Sequence, residues 1–471
     1  MSTSANGNGA SHGSLAATRK TKPWVATSVL SMGLFVISLD VTVLNVAVFP
    51  LSADLRPGPG LLEWILDGYT LTLACGVLAA GAIGDRYGRR RLFACGLMLF
   101  TVASVAGAVA NSGLVVLSAR LLMGAGAALV MPSTLATIGA LFPRPRERRW
   151  AVAWWALMAG LGGLSGPLLG GYLVQHYGWR AGFWINVPVL VLTLAACRWV
   201  PETRDRDAPR VDVRGAALSG MAVFSLVFVI FWSGQHGWGW PAWSGLAASA
   251  ATSAGFVMHS RRTPEALLPA GLWRVSRFRV SVLVLAASAF CFFGALLLVM
   301  FHAQARLGDS PASAGARLLP LVGGMLVGFA VAAVTPPAAE RAVTAGGMVL
   351  FAAAYLPLVS TMDADGSRLA WFAAIAGTGA GMAVLPATMT VLTCVPPNRA
   401  GVGSAVNDAT REVGAALGIA VTASLLTGPY LSGDVTRQHT ALQQAAVAGA
   451  AVALLTVAAA IGTRRTAGHP A

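Results

Sequence analysis

The chain has 471 residues, 56% of them hydrophobic and only 11% charged, with 33 Lys and Arg against 18 Asp and Glu and a formal net charge of +15. Soluble domains carry about a quarter charged residues, so this composition and a mean hydropathy of +0.68 exclude a water-soluble fold and indicate an integral membrane protein. The basic residues lie in the gaps between apolar runs, which reads as membrane topology rather than a nucleic-acid-binding surface.

Residues 1–22 form a Ser/Gly/Asn/Thr-rich stretch ending in "RKTK", expected to be a disordered tail. The run after it is too long for a signal-peptide core and holds Asp40, so it is expected to be an uncleaved first span. Apolar runs then follow near 24–48, 63–84, 92–111, 114–140, 151–174, 181–200, 215–234, 242–259, 278–303, 317–336, 343–361, 368–394, 401–426 and 441–462, predicting fourteen transmembrane helices. With the first tail placed in the cytoplasm, 25 Lys and Arg fall on the inner side and six on the outer, and Arg120 and Arg411 lie within spans. That asymmetry follows the positive-inside rule and places both termini in the cytoplasm, with 464–471 a second tail.

Residues 132–160 and 386–414 share Pro132/Pro386, Thr134/Thr388, Pro143/Pro397, Ala151/Ala405 and Gly160/Gly414 at a constant offset of 254. Six helices occupy about 177 residues here, so the offset leaves room for two extra helices between two halves. The expected organisation is an N-terminal six-helix bundle at 23–200, a linker with two additional helices at 201–275, and a C-terminal six-helix bundle at 276–463.

Charged residues inside the spans are costly, and they are functional candidates by default. Counting 1.5 Å per residue, Asp40 in "SLDVTVLNVAVFP" lies roughly 13 Å from the outer end of its span, with Asn45 further along the same run. Arg120 in "LSARLLMGAGAAL" lies roughly 10 Å from the outer end of the fourth, and Asp67 in "EWILDGYTLTLA" sits near the outer end of the second. An acid and a base at matched depth offset each other's desolvation; the pair serves either as a structural tie or as a proton site. A second set, Asp408, Arg411 and Glu412 beside Asn407 in "NDATREVGAALGIA", is spaced so that Asp408 can meet either Arg411 or Glu412 on one helix face. That set serves either as a local helix-stabilising pair or as lining of the inner pathway.

The string "GAIGDRYGRRR" after the second span combines Gly81, Gly84 and Gly88, which allow a tight turn and close contact, with Asp85, Arg86, Arg89 and Arg90. In the fifth span, "GGLSGPLLGG" places Gly162, Gly166, Pro167, Gly170 and Gly171 where small residues and a proline bend a helix and let it pack closely. Together these strings resemble the major facilitator superfamily, and within it the fourteen-span drug:proton antiporters. "WILDGYTLTLACG", "WRAGFWINVPV" and "GVGSAVNDATREVGAALGIAV" are similar to the same family. The resemblance implies a fold of two six-helix bundles plus an inserted pair. It implies that Asp40 and Asn45 belong to the first-span motif, that Arg120 takes part in proton transfer, and that the 81–91 loop latches the cytoplasmic side. The 162–171 segment would then be the antiporter hinge. The loop after the tenth span, "VTPPAAERAVTAGG", departs from the pattern and keeps only Glu340–Arg341, so a second latch of the first-half form is not expected.

No G-x-x-x-x-G-K-[ST] loop occurs, so the chain carries no P-loop ATPase. The five cysteines and seven histidines show no metal-ligand spacing, and no large loop gathers catalytic groups, which argues against a membrane enzyme. The expected protein is a multi-pass secondary transporter of the cytoplasmic membrane, acting as a monomer with no cofactor beyond the proton gradient. Its partners would be protons, the bilayer and a small hydrophobic or amphipathic compound, with export of a lipid or siderophore-like metabolite as the alternative.

Overall fold

The computed structural model describes residues 22–204, 209–263, 265–360, 366–431 and 435–462, and among them the regular structure is helical throughout. Apart from Lys22, the two tails expected at 1–22 and 464–471 lie outside the described residues. Fourteen long helical segments stand at the positions of the fourteen apolar runs. The first four are α1 (Pro23–Leu55), α2 (Pro59–Tyr87), α3 (Arg89–Ala108) and α4 (Gly113–Leu141). Then come α5 (Pro145–Tyr177) and α6 (Ala181–Trp199), each with a local irregularity. The remainder are α7 (Val213–His236), α8 (Trp240–Arg262), α9 (Ser276–Phe301), α10 (Leu319–Val334), α11 (Glu340–Ser360), α12 (Gly366–Cys394), α13 (Ala400–Leu431) and α14 (Val435–Gly462).

Among the described residues, twelve segments are long and apolar enough to cross a bilayer. The two others are α8, rich in Ala, Ser and Gly, and α11, whose first turn carries Glu340 and Arg341. α1 runs to Leu55, past the boundary expected at 48, because Pro50 sits inside it without ending it. The starts and stops follow local chemistry. Proline opens α1, α2 and α5, where its missing N–H has no partner to lose. The Ser112 hydroxyl caps α4, and the Asp212 carboxylate caps α7 through the Gly215 N–H at 2.9 Å.

The packing has an internal two-fold logic. In the first half, α1 packs on α5 and α6, α2 on α4, and α3 on α4 and α6. In the second half, α9 packs on α13 and α14, α10 on α12, and α11 on α12 and α14. These are the same pairings shifted by eight helices, and they pair α4 with α12, the helices that carry the interior prolines Pro132 and Pro386. Between the halves, α2 meets α13 and α5 meets α10. α7 and α8 pack on each other, and α7 also lies against α2 and α13.

Candidate functional site

Asp40 and Arg120 come together in the first half, each only 2% exposed, with Arg120 Nη1 donating to Asp40 Oδ2 at 2.5 Å. The guanidinium also donates through Nε to the Ile65 carbonyl at 3.3 Å and lies over the Tyr69 ring, 4.3 Å from its centroid. Asp40 Oδ1 accepts from Asn186 Nδ2 at 2.7 Å, and the same amide nitrogen lies 3.3 Å from Ser104 Oγ, whose hydroxyl donates to the Phe183 carbonyl at 2.8 Å. The acid is thus held by α4 on one oxygen and α6 on the other, with α2 and α3 closing the cluster. Removing either partner of such a pair leaves an uncompensated buried charge, a cost of about 3–5 kcal/mol.

Asn186 and Tyr69 are the members that sequence reasoning did not single out. The available signal for Asn186 was one amide in the otherwise apolar "FWINVPVLVL". Asp67 is half-buried on α2, and among the described bonds of Arg120 are those to Asp40 and to the Ile65 carbonyl. Asn45 lies on α1, and its side chain falls outside the described residues.

On α13, Asp408 and Asn407 are fully buried. Asn407 Nδ2 donates to Asp408 Oδ1 at 3.1 Å while its Oδ1 accepts from the Thr388 hydroxyl at 2.9 Å. Among the described residues Asp408 takes a hydrogen bond from Asn407, and no ion pair joins it to Arg411, one of the two partners its spacing allows. Arg411 instead reaches across to the first half, its guanidinium 5.6 Å from the ring of Trp155 on α5, whose indole donates to Thr134. The reason is geometric: α13 packs on α4, to whose Thr134 the Trp155 indole is bonded, and this brings the Arg411 guanidinium to an aromatic ring of α5. Asp408 Oδ2 has no hydrogen-bond partner among the described residues.

The "GAIGDRYGRRR" segment forms the end of α2, the turn and the start of α3. Gly88 has φ +114°, a conformation that only glycine adopts freely, and a side chain there would also meet the Glu202 carboxylate. Glu202 accepts from the Arg90 N–H at 3.1 Å, so the segment after α6 returns to cap α3. Asp85 is buried with Arg89, whose Nη2 donates to Oδ1 at 2.7 Å. The same carboxylate accepts the Gly401 N–H at 2.8 Å and the Val402 N–H at 3.2 Å, which places a negative charge on the N-terminus of α13 in the other half. Gly81 and Gly401 make this approach possible, since a methyl group on either would overlap the backbone carbonyl of the other. Arg86 is exposed on the α2 side of the turn.

A second contact, of a different form, joins the halves at the same end. Arg149 at the start of α5 pairs with Glu340 at the start of α11 and donates to the Thr335 carbonyl after α10. The second-half loop thus touches the first half through Glu340, the one acid it retains. The inserted pair is tied to this end as well. Asp212 accepts from His259 Nε2 at 2.8 Å and the Leu267 N–H at 3.1 Å, and Arg399 donates to the Ala266 carbonyl at 2.5 Å. Burial pushes the Asp212 carboxyl up, but its bonds from Gly215, His259 and Leu267 together hold it below the usual carboxylate value.

The glycines of α5 form a groove for α1. Gly162 faces the Phe35 carbonyl and Ser38, Gly166 faces Thr42, and Gly170 faces Val43. This is the stretch of α1 that carries Asp40, whose side chain points the other way, toward α4 and α6. Gly166–Gly170 is a π-helical turn, a local widening often found where a helix must bend. Pro167 lies in this turn, and its side chain falls outside the described residues. Gly171 has open space where its side chain would be and is not part of the groove.

The comparisons agree with this architecture. Residues 30–419 match the family model of the Major Facilitator Superfamily. The chain is 33% identical over 423 residues to the tetracenomycin C resistance and export protein of Streptomyces glaucescens, covering 88% of this chain and 77% of that one. It is 32% identical over 452 residues to the multidrug efflux pump LfrA of Mycolicibacterium smegmatis, covering 94% and 90%. It is also 32% identical to the puromycin resistance protein pur8 of Streptomyces alboniger over 86% of this chain and 82% of that one. The human organic anion transporter MFSD10 shares the fold with a TM-score of 0.69 at 18% identity, covering 93% of this chain and 99% of that structure. With two helical halves built on one packing plan, and relatives matched along nearly the whole chain, this protein belongs to the Major Facilitator Superfamily.

Proposed function

We propose that the protein is a proton-coupled exporter of small hydrophobic or amphipathic compounds in the cell membrane, with both termini in the cytoplasm. It would work by alternating access between a bundle at 23–200 and a bundle at 276–463, with the linker and inserted pair at 201–275 between them. The end bearing Asp85 and Glu340 is then the cytoplasmic end, latched in this conformation. The relatives named for antibiotic export, multidrug efflux and puromycin resistance support export over import and a transporter over an enzyme.

The observation that carries the proton coupling is the buried Asp40–Arg120 pair. A proton on Asp40 removes the charge that holds Arg120, changes the cluster from neutral to net +1, and loosens the tie between α1 and α4. α1 rests in the α5 glycine groove, so a change at Asp40 reaches the π turn directly. Asp408, Arg411 and Glu412 would line the inner half of the pathway where α13 faces the first half, Asp67 the outer half, and Asn45 the stretch of α1 past Asp40. The test is Asp40→Asn in proteoliposomes loaded with ethidium, with an imposed pH gradient. Export should fall to the level of protein-free vesicles, and undiminished gradient-driven export refutes the scheme.

A further inference from the structure

We propose that Asn186 is a positioning residue that reports the protonation state of Asp40 by turning its side-chain amide. The inference rests on Asp40 being the proton site. Among the described residues, every hydrogen bond to the Asp40 carboxylate is donated to it, by Arg120 Nη1 on Oδ2 and by Asn186 Nδ2 on Oδ1. Once protonated, the carboxyl gains an O–H that needs an acceptor. Arg120 offers none, because a guanidinium only donates.

The other groups facing Asp40 narrow the choice. α5 presents glycines to α1, α2 contributes Tyr69 beneath the guanidinium, and the charge of Glu412 on α13 acts on Tyr69 from the other half. Ser104 Oγ on α3 can accept as well as donate, but it is engaged by the Phe183 carbonyl and the Asn186 amide nitrogen, and among the described residues no bond joins it to the carboxylate. Among the described residues the buried side-chain acceptors of this cluster with no hydrogen-bond partner are Tyr69 Oη and Asn186 Oδ1, and of the two only the Asn186 amide already touches the carboxylate.

Half a turn of the amide exchanges its two ends. One proton from the aqueous side adds to Asp40 Oδ1, the Nδ2–H···Oδ1 bond breaks, and the new carboxyl O–H donates to Asn186 Oδ1. The Ser104 hydroxyl can turn to donate to the same Oδ1. The amide leaves one polar end unpaired in either orientation, so neither is strongly disfavoured by the amide itself. Arg120 loses its counter-charge while Asp40 stays bound to α6. Proton uptake thereby weakens the tie of the α1 acid with α4 and keeps its tie with α6, in which the acid now donates instead of accepting.

The test needs no transported compound. Infrared difference spectra of the purified protein, taken across a pH titration, identify the carboxyl band of Asp40 as the component lost in Asp40→Asn. Isotope-labelled asparagine then assigns side-chain amide bands. The proposal expects an amide C=O band that shifts in step with the Asp40 carboxyl band, and that disappears in Asp40→Asn and Asn186→Leu. A structural role for Asn186 would not move an amide band with pH. If Asp40 titrates while the asparagine bands stay constant in the otherwise unchanged protein, the switch is refuted and the proton site stands. If Asp40 shows no titration at all, both fall. The labelled protein without substitution at Asn186 carries the decisive reading, so poor folding of Asn186→Leu leaves the test intact.

Discussion

Asp85→Asn separates what holds the fold together from what holds the conformation. Asp85 makes two kinds of contact. The bond to Arg89 lies within the first half, whereas those to the Gly401 and Val402 N–H groups cross to α13, so under the proposed alternating access the first should persist and the others should break when this end opens. Asparagine retains an oxygen but loses the charge. Charge-assisted hydrogen bonds contribute about 1.5–3 kcal/mol, and an anion at a helix N-terminus about 0.3–1 kcal/mol, so the state-dependent loss is about 2–3 kcal/mol. At 1.4 kcal/mol per factor of ten, the ratio of open to closed at this end should rise about 30- to 150-fold. Spin labels at Tyr87 and Val334, both exposed at this end on opposite halves, would read the opening as a second, longer distance population in double electron–electron resonance. Unpairing the buried Arg89 lowers thermal stability as well, but it does so in both conformations and leaves their ratio alone. A variant that melts earlier with an unchanged distance distribution would refute the latch.

Glu340→Gln should open the same end in the same direction as Asp85→Asn, and the double variant should open it further; a double variant no more open than Asp85→Asn would show the Arg149 pair idle. Gly166→Ala places a methyl group onto Thr42 and should destabilise the bundle by about 1–3 kcal/mol, while Gly171→Ala, with open space before it, should be neutral in a thermal-shift measurement. At the opposite end, the Trp179 indole and the Arg180 guanidinium donate to Asp54 at 2.9 and 2.8 Å and hold its carboxyl below the usual carboxylate value. Because the folded value is the lower one, this tie is complete above the ordinary carboxylate value and is lost as pH falls through the folded one. Trp179 fluorescence should therefore change in acid, and Asp54→Asn should abolish that change.

Much of the molecule was legible in one dimension because the bilayer makes hydropathy a local property. A run of about twenty apolar residues must be a helix wherever its neighbours lie, so the fourteen helical positions and the 254-residue offset could be read without contacts. The cost of burying charge likewise made Asp40, Arg120 and Asp408 conspicuous, and Gly88 announced a turn that the +114° φ bears out. Partnerships are different, since they depend on which faces of distant helices meet. Asp40 finds Arg120 across 80 residues and Asn186 across 146, and Arg149 finds Glu340 across 191. Asp408 and Arg411, three residues apart, looked like a pair because helical spacing allowed it. Tertiary packing placed the Arg411 guanidinium over Trp155 of the first half, while Asp408 takes its hydrogen bond from its chain neighbour Asn407. Composition determines that a charge must be satisfied inside the membrane; only the packing of α1 among α2, α4, α5 and α6 determines by whom.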